Sequence, residues 1–180
     1  MKHVLIVHGS PRKQGNTAKL AAQFARGAED AGHTVTQIML KDKTIHDCLG
    51  CGACQYKEGQ CVQKDDMQEI YQAMQQADVI VLASPVYFYT WTSLMKRMLD
   101  RTFAVISVLQ NKTFYLLSTG AATGEEYMKT MIDSFQQYVS CFAAGGNKSG
   151  GYLFGYGTNA PGDIQTMPVM DEAYALGKAL

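Results

Sequence analysis

The stretch VLIVHGSPRKQGNT, residues 4–17, does most to limit what this chain can fold into. Its four consecutive apolar residues have no polar alternate, so they read as a strand buried on both faces, the kind found inside parallel sheets. A Gly/Ser/Pro cluster ends the run. Leu20, Phe24, Ala28 and Ala31 then keep helical spacing up to Gly32, a residue suited to close a helix. The same succession returns along the chain. Strands are expected at 34–40, 79–84, 113–119 and 151–157. Between them run helices with Met67, Ile70, Met74 and Ala77 on one face, then Leu94, Met98 and Leu99 within 92–102, then Met128, Ile132, Phe135 and Val139. Asp66 with Glu69, and Thr123 with Glu126, have the spacing of capping boxes. Thr166 before Pro168 opens a last helix.

Five alternations of strand and helix predict an α/β sandwich: a parallel sheet with helices on both faces. The short first crossover suits the flavodoxin-like strand order 2-1-3-4-5. A chain of 180 residues is expected to form one domain over 1–180. Its 47% apolar and 18% charged residues describe a globular protein. Lys+Arg and Asp+Glu balance at 16 each, so neither a nucleic-acid surface nor an anionic membrane is expected as partner. The first residues hold too short an apolar run for an export signal or a span, so the expected compartment is the cytoplasm, where thiols stay reduced.

Right-handed crossovers bring the strand-to-helix loops 9–16, 41–65, 84–91 and 119–124 to the carboxyl edge of the sheet, where open α/β sheets bind ligands. In the first of these, HGSPRKQGNT, Gly9 and Gly15 allow tight backbone, while Ser10, Asn16 and Thr17 supply polar side chains and Arg12 a guanidinium fork. Ahead of a helix N-terminus this set reads as a phosphate site. It is neither a Walker A loop nor G-x-G-x-x-G. An ordinary turn capped by Asn16 or Thr17 is the plain alternative.

GSPRKQGNT resembles the FMN-phosphate loop of the NADPH-dependent FMN reductase and iron–sulfur flavoprotein group of the flavodoxin-like superfamily. SPVYFY (84–89) resembles that group's second flavin loop and STGAATG (118–124) its third. The resemblance implies that Ser10, Arg12, Asn16 and Thr17 hold the FMN phosphate. It implies that Pro85, Val86, Tyr87 and Phe88 line one side of the isoalloxazine, and that Thr119, Gly120 and Ala121 meet its polar edge. NAD(P)H would be the electron donor, a small molecule or protein the acceptor, and the assembly a homodimer or higher homo-oligomer. The residues agree: a flavin needs an apolar wall and backbone N–H groups near the ring atoms that gain charge on reduction. Ordinary core or subunit packing is the competing reading for Tyr89 and Trp91.

No acid–base or nucleophile set stands out. His3, His8, His33 and His46 are scattered, Ser10 and Ser84 lie outside any nucleophile elbow, Asp100–Arg101 reads as a helix-end ion pair, and Cys141 as a buried thiol. The other four cysteines fall within CLGCGACQYKEGQC. Cys48, Cys51, Cys54 and Cys61 follow C-x2-C-x2-C-x6-C, an opening shared with ferredoxin cysteine runs. That spacing leans toward a 4Fe–4S cluster, as does the likeness to iron–sulfur flavoproteins. Free thiols, zinc and a redox disulfide are the alternatives. The expected function is an FMN-dependent NAD(P)H oxidoreductase; the rival is an electron carrier or redox sensor without turnover.

Overall fold

The computed structural model describes residues 1–57 and 59–180, leaving one position of the cysteine stretch outside the described residues. Strands β1 (His3–His8), β2 (Thr34–Met39), β3 (Val79–Pro85), β4 (Thr113–Thr119) and β5 (Lys148–Gly155) form a parallel sheet in the order β2-β1-β3-β4-β5. Helices α1 (Asn16–Asp30), α2 (Met67–Gln76), α3 (Ser93–Arg101) and α4 (Lys129–Ser140) make the crossovers, and α5 (Val169–Lys178) follows β5.

The uninterrupted apolar runs are explained by two cores, one on each face of the sheet. Leu5, Val7, Ile80, Leu82, Phe114 and Leu116 point to the face covered by α2, α3 and α4, where they meet Ile70, Met74, Met95, Met98 and Phe135. Their neighbours Val4, Ile6, Val79, Val81 and Leu117 point the other way, against Leu20, Phe24 and Ala173 of α1 and α5. Period-2 alternation thus serves both faces, and neither can be polar. The helices α1 and α5 pack backbone to backbone: a Cβ on Gly27 would lie 2.0 Å from the Tyr174 carbonyl oxygen, and one on Gly177 2.0 Å from that of Phe24.

Helix ends depart most from expectation. Neither capping box forms. Asp66 gives no side-chain cap to α2; its carboxylate accepts the Thr44 N–H at 2.6 Å, and Asp65 instead accepts the Met67 N–H at 3.2 Å. A 3-10 turn, Glu125–Met128, precedes α4, which starts at Lys129 without a side-chain cap. Pro168 stands at the N-cap of α5 after another 3-10 turn, Asp163–Thr166. Among the described residues, α3 alone is capped by its N-cap side chain, Thr92 Oγ1 accepting the Met95 N–H at 3.2 Å. β5 begins and ends earlier than expected, because an edge strand buries little and carries no continuous apolar run to mark it. Asp100 pairs with Lys96 one turn back at 2.5 Å, and Arg101 turns inward to Asp65; the expected Asp100–Arg101 pair does not exist. Cys141, expected to be buried, is exposed at the end of α4.

Candidate functional site

The first loop is anchored from below. The Gly9 N–H donates to Ala83 O at 2.8 Å, and Thr92 Oγ1 donates to Gly9 O at 2.7 Å, so the turn leaving β1 is tied to β3 and to the start of α3. Within it, Ser10 Oγ lies 3.1 Å from the Arg12 N–H and 3.2 Å from the Arg12 carbonyl, folding the loop on itself. Gly15 then stands at the N-cap of α1 with no side-chain cap, and the first turn holds no acidic residue. Its N–H groups and the positive end of the helix dipole are therefore left to an anion.

These residues border a cavity of about 200 Å3 at the carboxyl edge of the sheet. Ser10, Arg12, Asn16 and Thr17 line it from the first loop, Pro85, Val86 and Tyr87 from the third, and Thr119, Gly120 and Ala121 from the fourth. Ten of the eleven expected cofactor residues thus meet around one space. Phe88 does not join them. Thr158 and Asn159 do. They belong to the loop after β5, which also reaches the carboxyl edge because β5 is parallel to the rest; that topological signal was available in the sequence.

The polar side chains here divide by what they already bind. Asn16 spends its amide on the β5–α5 loop, Nδ2 donating to Ala160 O at 2.9 Å and Oδ1 accepting the Gly162 N–H at 2.8 Å. Thr158 donates its N–H to Gly120 O at 2.9 Å, and the Gly120 N–H donates to Gly155 O at 3.1 Å. Gly120 is closely packed, since a Cβ there would come 2.7 Å from Met128 Cε. Arg12 stays exposed and free to turn toward a ligand.

After β3 the chain makes a tight hairpin. Tyr87 and Thr90 exchange backbone hydrogen bonds of 3.0 and 3.1 Å, with Phe88 at φ 47° and Tyr89 at φ 67° between them. Positive φ at two aromatic residues is strained, and turns of this shape usually carry Asn or Gly. Phe88 is 97% exposed, whereas Trp91 is buried in the core with its indole N–H on Ser134 Oγ at 2.8 Å. The packing reading holds for Trp91.

A second cavity, about 410 Å3, lies in the loop after β2. Cys48, Cys51, Cys54 and Cys61 all line it, with Arg101, Phe103 and Ala104 from the far side. Cys48 and Cys51 are exposed, Cys54 and Cys61 partly buried, and none of the four is joined in a disulfide among the described residues. Gly50, Gly52 and Gly59 take positive φ, which lets the loop wrap the space. The donor set and the shared cavity fit a thiolate-ligated group, although no three metal-ligating side chains are drawn together among the described residues. Arg101 Nη2 donates to Cys61 Sγ at 3.4 Å.

His8 lies outside both cavities. It is buried, with Nε2 on Gln37 Oε1 at 2.9 Å and Nδ1 without a partner, and burial holds its pKa below the ordinary value despite the Gln37 hydrogen bond. No helix among the described residues is long and apolar enough to cross a membrane.

Residues 1–149 match the sequence profile of the NADPH-dependent FMN reductase family. An iron–sulfur flavoprotein of Methanocaldococcus jannaschii is 33% identical over 97% of this chain and 93% of its own length. An iron–sulfur flavoprotein of Archaeoglobus fulgidus is 43% identical over 56% of this chain, a match spanning 45% of that protein. Among solved structures, the NAD(P)H:quinone oxidoreductase of Methanothermobacter marburgensis superposes with a TM-score of 0.76 over 98% of this chain and 96% of its own, at 18% identity. That last likeness establishes the fold.

Proposed function

This chain belongs to the NADPH-dependent FMN reductase family, and from that premise we propose that it is an FMN-dependent NAD(P)H oxidoreductase with its flavin seated at the carboxyl edge of the sheet. The observation that carries this reading is the convergence of residues from the first, third and fourth strand-to-helix loops on the 200 Å3 cavity. Arg12 and the uncapped first turn of α1 take the phosphate, combining fixed charge with free N–H groups. Asn16 and Thr17 act by position: both hydrogen-bond within the protein and hold the first loop against its neighbours. Pro85, Val86 and Tyr87 form the apolar wall, and backbone at Thr119–Ala121 approaches the ring edge. FMN, when bound, supplies the centre that accepts hydride from the nicotinamide and releases electrons to an acceptor. No histidine or carboxylate lines the cavity among the described residues, and the part these side chains play is to bind and orient.

Cys48, Cys51, Cys54 and Cys61 would hold a 4Fe–4S cluster, a reading supported by their spacing, their shared cavity and the iron–sulfur flavoprotein relatives. The acceptor is then a small molecule or a protein reached through that loop. The exposed Tyr87, Phe88, Tyr89 and Tyr152 support contact with a second copy of the chain near the flavin edge.

Two assays on anaerobically purified protein test this. Addition of FMN should give bound flavin and NAD(P)H oxidation with an added quinone, while iron and acid-labile sulfide should approach about four per chain. Bound flavin without nicotinamide turnover would point to an electron carrier, and no flavin binding would remove the reading altogether.

A further inference from the structure

Two arginines one turn apart on α3 reach across to the loop that carries the cysteines. Arg97 does so at the surface, its Nη1 donating to Ile45 O at 3.3 Å and its Nε pairing with Asp47 at 2.9 Å. Arg101 does so in the interior. It is 2% exposed, with Nη1 donating to His46 O at 2.7 Å and to Asp65 Oδ2 at 2.6 Å. Its Nη2 donates to Asp65 Oδ1 at 3.1 Å and to Cys61 Sγ at 3.4 Å, and its Nε is buried without a partner. One guanidinium therefore grips both ends of the 46–65 segment and one of its sulfurs. Tyr71 Oη donates to the Arg101 carbonyl at 2.8 Å, fixing the end of α3 against α2.

A buried ion pair is a weak source of stability, because desolvating both charges offsets most of their attraction. The geometry here supplies something an apolar pair would not. Of the four loop cysteines, Cys61 is the one whose sulfur accepts a hydrogen bond from a cation among the described residues. Burial alone would raise the Asp65 carboxyl, but the Arg101 fork and the His46 and Met67 N–H groups outweigh it and hold the group below its ordinary value, so the pair is charged.

We propose that Arg101 is the positioning residue of the cysteine loop. It anchors Cys61 as the fixed member of the four while Cys48 and Cys51 stay exposed, and it sets a permanent positive charge against the sulfur. The second half of the proposal rests on the reading of this loop as an iron–sulfur site. A cation donating N–H to a ligand sulfur favours the more negative, reduced form and raises the reduction potential. Asp65 opposes that field, so the two partners act with opposite sign.

Apoprotein, iron-loaded wild type and three variants separate the possibilities. In the apoprotein the His46 amide, which donates to Asp65 Oδ2 at 2.9 Å, reports on the grip. Arg101→Lys should speed its hydrogen exchange at least about tenfold while β1 and β3 stay protected. Unchanged exchange at His46 would overturn the anchoring role. In iron-loaded protein titrated with dithionite, Arg101→Gln should lower the reduction potential and Asp65→Asn should raise it. Shifts in the same direction, as a purely structural pair would give, or no shift, would overturn the tuning role. Should Arg101→Gln fail to fold, Arg101→Lys keeps the charge and should hold a potential closer to wild type than to Asp65→Asn. Iron and sulfide absent from wild type would refute the cluster reading and with it the tuning, and the exchange result would still decide the anchor.

Discussion

Thr17 Oγ1 and Thr119 Oγ1 lie 2.6 Å apart, and through them the first turn of α1 is joined to the end of β4. Both residues are buried, and both border the candidate flavin cavity. The pair couples the loop proposed to hold phosphate to the loop proposed to hold the ring. Thr119→Val keeps the shape and removes one hydroxyl, leaving Thr17 without its partner. The expected cost is about 1–3 kcal/mol of stability, together with weaker FMN binding. Thermal melts and a flavin fluorescence titration check it, and unchanged values in both would show that the contact does not matter.

Gly27 sits where α1 touches the backbone of α5. Gly27→Ala puts a methyl into the Tyr174 carbonyl and forces the two helices apart. Because the obstacle is main chain rather than a flexible side-chain tip, overpacking should cost about 1–3 kcal/mol or more. Denaturant melts should show a lower midpoint. A midpoint like that of the parent would mean that α5 is free to shift.

His8 gives the chain a specific acid sensitivity. Its folded pKa is depressed below the ordinary 6.5 by burial, so the neutral ring is the folded form. As pH falls below that value the unfolded chain takes up a proton at His8 that the folded chain refuses, and stability drops. One proton limits the slope to at most about 1.4 kcal/mol per pH unit, and the loss ends once the folded ring also protonates. His8→Gln should flatten this slope in melts between about pH 7 and about pH 5. An identical slope in parent and variant would place the acid sensitivity elsewhere.

The hairpin after β3 stores strain without visible compensation in the single chain. Phe88 has φ 47° and an almost fully exposed ring. Phe88→Gly should relieve part of a backbone cost of about 1–3 kcal/mol and raise the melting temperature of the ligand-free protein. If the ring serves a second copy of the chain, the same variant should dissociate more readily in sedimentation. A lower melting temperature with unchanged assembly would contradict both expectations.

The sheet order was legible because buried parallel strands announce themselves: VLIV (4–7) and VIVLA (79–83) have no polar position to confuse the reading. The candidate cavity was legible for a related reason, since topology alone brings its loops together. Helix starts were not. The sequence shows Asp66 three residues before Glu69, but it cannot show that Thr44, 22 positions back at the start of the same loop, claims the Asp66 carboxylate. Arg101 was misread the same way. Its sequence neighbour Asp100 offers a charge, yet Asp100 points to Lys96 while the buried Asp65 lies 36 positions away. Asn16 was found for its place in the loop, but only its partners at Ala160 and Gly162 show how its amide is used.

Rapid mixing of anaerobic, FMN-loaded protein with NADPH is the most direct test of the proposed reaction. The flavin absorbance of the parent should bleach in a single saturable phase. Arg12→Ala should reach the same bleached state but need roughly tenfold or more FMN to load, reflecting one lost charge-assisted contact. FMN that does not bind, or bound FMN that NADPH and NADH both leave oxidised, would contradict an FMN-dependent NAD(P)H oxidoreductase built on this cavity.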